Sequence, residues 1–99
     1  MKKRQVKKIE KKKRELLHHI LDIVLDINGL EVRKQEVTGN KPTAFMDISG
    51  HVAGIKVGIC LNGWCRDEHP RVYEECHFDN SVAELSQMLV RLKKRQEEL

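Results

Sequence analysis

The chain has 99 residues, 39% of them apolar and 34% charged, with a formal net charge of +4. That is enough for one modest hydrophobic core without disulfide or metal staples, too polar for a membrane protein and too apolar for a disordered one. Three cysteines, an odd number with no secretory signal before them, fit free thiols in a reducing cytoplasm, so a cytoplasmic location is expected.

The charge is unevenly placed. Residues 1–14 hold nine Lys or Arg and a single acid, Glu10, whereas the remainder holds ten basic and fourteen acidic residues. The basic character therefore belongs to an arm and not to the fold. The apolar run that follows is interrupted by His18, His19, Asp22 and Asp26, which excludes a signal sequence or a membrane span.

Residues 5–27 read as a helix, because Val6, Ile9, Lys13, Leu16, Ile20, Ile23 and Ile27 step by three and four. Asn28-Gly29 supplies the left-handed stop expected just past a helix end. Lys2, Lys3, Arg4, Lys7 and Lys8 sit where the helix dipole is positive, and they repel one another. The expected organisation is thus a basic, partly frayed helical arm over residues 1–13 and one α+β domain over residues 14–99.

A weakly alternating strand is expected at 30–37, followed by a turn at 38–42 rich in chain breakers. The strongest period-2 patterning spans 43–61, with Gly50-His51 at its centre. A two-residue type II′ turn there pairs Ile48 with Ala53, Met46 with Ile55 and Ala44 with Val57, and gathers every apolar side chain on one face. Gly54 and Gly58 fall on the opposite face beside Lys56, marking a shallow groove or, as a structural feature, either a bulge or a spot where Phe45 covers the glycines from across the strands. Residues 62–70 form a loop carrying the only tryptophan, Trp64. A last strand follows at 71–78, with Val72, Cys76 and Phe78 on one face. Ser81-Val-Ala-Glu84 is a capping box opening a final helix whose stripe is Val82, Leu85, Leu89 and Leu92.

The expected architecture is α+β: a four-stranded antiparallel meander with N- and C-terminal helices packed on one face. Four strands make the two helices antiparallel. That brings the basic start of the first helix to the same end as Arg91, Lys93, Lys94 and Arg95.

Chemistry-bearing motifs are few. Cys60, Cys65, His69, Cys76 and His77 have zinc-donor side chains, but their spacing lacks the paired Cys-x2-Cys knuckles of structural sites, so no metal and no cofactor are expected. Cys65 and His69 have no orienting third group for nucleophilic catalysis, so no enzyme is expected. Helix–strands–helix is similar to the element order of double-stranded-RNA-binding domains. Those domains carry lysines at the start of their second helix, where this chain has Ser81-Val-Ala-Glu84, so no family is assigned.

The functional expectation is a non-enzymatic binding protein whose arm engages a polyanion, RNA or DNA, through phosphates and with little sequence specificity. The candidate contacts are Lys2, Lys3, Arg4, Lys7, Lys8, Lys11, Lys12, Arg14, Lys93, Lys94 and Arg95. The alternative is a partner helix or a homodimer paired along Val6, Ile9, Lys13 and Leu16. No membrane contact is expected, and a zinc or thiol site ranks third.

Overall fold

A computed structural model describes residues 3–32, 39–63, 72–79 and 81–99. Two helices cover one face of an antiparallel sheet. Helix α1 runs Lys3–Asn28, strands β1, β2 and β3 run Thr43–Ser49, Gly54–Cys60 and Val72–His77, and helix α2 runs Val82–Glu97. The sheet order is β1-β2-β3.

The apolar stripe of α1 becomes core from Leu16 onward, with Leu16, Ile20, Ile23, Val24 and Ile27 buried. The helix stops where the sequence says it should. Gly29 adopts φ 65° and still donates its N–H to the Leu25 carbonyl at 2.7 Å. At the other helix, Ser81 is the N-cap, and its Oγ accepts the Glu84 N–H at 3.3 Å. The helix then buries Leu85, Met88, Leu89 and Leu92. Met88, fully buried, is a core residue that the sequence reading passed over.

Strand parity fills the space between. The face beneath the helices carries Ala44, Met46 and Ile48 of β1, Ile55, Val57 and Ile59 of β2, and Val72, Glu74 and Cys76 of β3. With the helix stripes, most of these form one continuous hydrophobic core.

Two expectations about the sheet are corrected. In the first hairpin Ile48 faces Ile55, Met46 faces Val57 and Ala44 faces Ile59, two residues beyond the expected register. The connection is a four-residue loop, 50–53, in which Ala53 and not Gly50 takes the left-handed conformation, at φ 48°. The Ala53 carbonyl accepts the Phe78 N–H at 2.8 Å, which ties the loop to the end of β3. A slip of two leaves every side chain on its original face, so the apolar pattern could not discriminate between the two registers.

The second correction is the fourth strand. Leu30–Val32 leave the helix as turn and bend, with Leu30 92% exposed, and the rest of the expected strand, 33–37, lies outside the described residues. Among the described residues the sheet has three strands. The place beside Ala44 where a fourth strand would pair is taken by a side chain: the Asn28 amide donates to the Ala44 carbonyl at 2.8 Å and accepts the Ala44 N–H at 2.7 Å. Trp64 and most of the loop expected at 62–70 also lie outside the described residues.

Three strands reverse the expected helix arrangement. The C-terminal Asn28 of α1 meets the start of β1, while Arg14, Leu17 and Leu21 lie beside Met46 and Ile48 further along it. Helix α1 is therefore antiparallel to β1. Cys76 contacts Met88, and Glu74, earlier in β3, bonds Arg91 and Arg95, later in α2. Helix α2 is therefore antiparallel to β3. Because β1 and β3 share a direction, the two helices are parallel. The basic start of α1 and the cluster Arg91, Lys93, Lys94 and Arg95 consequently lie at opposite ends of the molecule.

Ile55 and Leu85 both sit fully inside this core. Truncating either to Ala is expected to cost about 2–5 kcal/mol in urea unfolding, the range for large buried aliphatic residues. A cost under about 1 kcal/mol would place the residue at the surface.

Candidate functional site

The first half of α1 lies outside the hydrophobic core. Leu16 is its first buried residue, so residues 3–13 extend past the sheet by roughly 16 Å at 1.5 Å per residue. The long axis of the molecule, 53 Å against 26 and 20 Å, reflects this projection. At 100° per residue, Lys3, Arg4, Lys7, Lys8, Lys11 and Arg14 occupy the side away from Ile9, Lys13 and Leu16, and Lys12 flanks the apolar stripe. All seven are exposed, whereas Ile9 and Lys13 are half-buried. Lys2, also expected to contact the ligand, lies outside the described residues. No acidic residue stands in the first turn of the helix. Among the described residues, none of these cations is in an ion pair.

The second expected cluster behaves differently. Arg95, together with Arg91, is committed to a carboxylate. Glu74 sits on β3 at the core-facing parity of Val72 and Cys76, and its side chain is only 9% exposed. Arg91 Nε donates to Oε1 at 2.5 Å and Arg95 Nε to Oε2 at 2.8 Å. Burial by itself would raise the Glu74 pKa. The two hydrogen bonds and the two positive charges outweigh it and hold the carboxyl below its ordinary value. Glu74 is thus the polar anchor of α2 on β3. The sequence did carry a signal for it: a charged residue on the apolar parity of a strand, facing an i,i+4 pair of arginines. Lys93 and Lys94 remain on the exposed side of α2.

The outer face of the sheet carries three cross-strand rows: Phe45–Gly58–Tyr73, Asp47–Lys56–Glu75 and Ser49–Gly54–His77. Register runs through both glycines without a bulge. Gly58 is buried directly between Phe45 and Tyr73 in the pairing, which favours the structural reading of that glycine. Lys56 Nζ lies 4.3 Å from the centroid of the Tyr73 ring. Near the hairpin loop an open hollow of about 440 Å3 is lined by Asp47, Ser49, Val52, Lys56, Glu75 and His77.

The zinc-donor side chains are dispersed. Cys60 is on the outer face of the sheet and buried, whereas Cys76 is on the inner face with its thiol 3.5 Å from Met88 Sδ. Burial, with Glu84 nearby, pushes the Cys76 thiol above its ordinary pKa. Cys65 and His69 lie outside the described residues. Among the described residues no three His, Cys, Asp or Glu side chains are grouped to hold a metal, and no helix is long and apolar enough to cross a membrane.

Fold and surface together define a small two-layer α+β domain with a projecting basic helix. Comparison with protein-family models, with curated proteins and with solved structures finds no match to this chain.

The Glu74 clamp has a pH signature. Because its folded pKa is depressed, the unfolded chain takes up the proton first, and the stabilisation is present above the ordinary value of 4.5 and lost as pH falls below it. Thermal melts between about pH 7 and pH 3 should show wild type losing stability more steeply than Glu74→Gln in the acid range, with the variant less stable at pH 7. Parallel curves would mean that the clamp contributes no pH-linked stability.

Proposed function

We propose that the protein is a non-enzymatic polyanion-binding module and that the first half of α1 binds the phosphate backbone of RNA or DNA. The observation that carries this reading is the array of seven exposed cations on Lys3–Arg14, projecting beyond the core and unpaired among the described residues. Phosphates placed along that face would offset both the repulsion between the cations and their unfavourable position in the helix dipole. Helix α1 is formed from Lys3 onward; the cations weaken its first turns, and bound phosphates would stabilise them. Such contacts position the ligand without reading bases, so little sequence specificity follows. Lys93 and Lys94 stand at the far end of α2 and do not belong to the same contact surface.

A second reading has its own observation. Val6 is 40% exposed and Ile9 half-buried, so the apolar stripe continues past the core with no partner among the described residues. A second helix paired along Val6, Ile9 and Lys13 would cover it. Sedimentation of the protein without nucleic acid separates the readings, since helix pairing with a second copy predicts a dimer.

If about five phosphates are engaged, log K for a random-sequence duplex should fall with log salt at a slope of about −4 to −5. Replacing Lys7, Lys8, Lys11 and Lys12 by Gln should flatten that slope by about three to four and abolish most binding at physiological salt. Circular dichroism should register a gain of helix on binding for wild type only. Equal binding by the two proteins would sink the arm as a nucleic-acid element.

A further inference from the structure

The clamp that anchors α2 leaves most of its donors unused. Each guanidinium carries five N–H groups. Arg91 and Arg95 each spend one, the Nε–H, on Glu74. Among the described residues neither makes another hydrogen bond, and their side chains are 46% and 38% exposed. A carboxylate held side-on by two Nε atoms fixes the planes of both guanidiniums and leaves their Nη edges to point elsewhere. Both arginines line an open cavity of about 250 Å3, whose other walls are Lys94, Glu98 and Glu74 itself.

We propose that this cavity is a binding site for a phosphate group, held by the Nη edges of Arg91 and Arg95 with Lys94 as a third cation. Three features favour that ligand. A tetrahedral oxyanion accepts the paired N–H donors of a guanidinium edge in a way that a spherical anion cannot. The two arginines are already oriented by Glu74, so little side-chain freedom is lost on binding. The cavity walls carry three positive and two negative charges, so a net positive charge remains after the internal ion pairs are made. Glu98 on the rim and the negative C-terminal pole of α2 both oppose the ligand, and the three cations must outweigh them. The site stands at the end of the molecule opposite the arm, and it does not depend on the arm binding nucleic acid.

The test is nitrogen-15 NMR of the Arg Nε–Hε signals of the full-length protein. Inorganic phosphate is titrated at constant ionic strength, with chloride as control. Saturable shifts of the Arg91 and Arg95 signals are expected, with half-saturation in about the millimolar range for a small ligand held by a few charge-assisted bonds. Lys94 makes no bond to Glu74, so Lys94→Gln should weaken binding about five- to tenfold and leave the clamp intact. Glu98→Gln should tighten it about two- to fivefold by removing the like charge. A nucleoside 5′-monophosphate is compared with an oligonucleotide lacking a terminal phosphate, to tell a phosphomonoester from backbone diester as the source. Saturation by either supports the site and identifies the source. Absence of saturable shifts with all three phosphate probes overturns the proposal, as does an equal response to chloride. Unchanged affinity in both Lys94→Gln and Glu98→Gln also overturns it.

Discussion

The geometry of the molecule depends on one side-chain amide. Asn28, the last residue of α1, bonds both backbone groups of Ala44 near the start of β1, as the peptide of a neighbouring strand would. This contact sets the end of α1 against the beginning of the sheet. The direction of the helix follows, and with it the side on which the cationic first half emerges. Without it, the Ala44 N–H and carbonyl at the sheet edge would need other partners, since buried or half-buried backbone groups are costly when unpaired. Among the described residues the sheet ends at β1, and at Ala44 the same amide stands where a neighbouring strand would pair.

The opposite flank is held by chemistry of another kind. Glu74 occupies a core-facing position that Val72 and Cys76 on either side treat as apolar, and it is tolerated only because two arginines satisfy both carboxylate oxygens. Removing either arginine would leave a nearly buried charge half-satisfied, the situation in which ion pairs matter most. Helix α2 is therefore attached to β3 by apolar contact at Cys76–Met88 and by a polar clamp one turn further on. The first is insensitive to acid and the second is not.

The features legible in the sequence were those set by local periodicity. The stripe from Leu16 to Ile27, the stop at Asn28-Gly29, the cap at Ser81 and the inward face of the central strands all follow from spacing, and the structure has them. What escaped the reading depended on contacts distant in the chain. Two- and four-residue hairpin loops leave identical faces apolar, so patterning alone cannot separate them, and the observed loop is tied to the end of β3 by the bond from Phe78 to Ala53. The weak alternation after Gly29 suggested a strand, most of which lies outside the described residues, and a polar residue sixteen positions before Ala44 bonds its backbone instead. Expected strand count decided the expected helix direction, whereas the described contacts make the helices parallel and put the α2 cations at the other end of the molecule. Arg95 changed its role for the same kind of reason, because its partner lies 21 residues away.

Parallel helices have a consequence for the field around the molecule. Antiparallel neighbours cancel their macrodipoles, whereas α1 and α2 add theirs, with roughly half a positive charge at each N-terminus. The Lys3–Arg14 cations project from the end toward which both positive poles point. At the opposite pole Lys94 and Arg95, in the last turn of α2, partly offset the negative ends. The sum is a moment along the 53 Å axis. A diffusing polyanion would feel it before any contact forms and would turn the protein arm-first at low ionic strength.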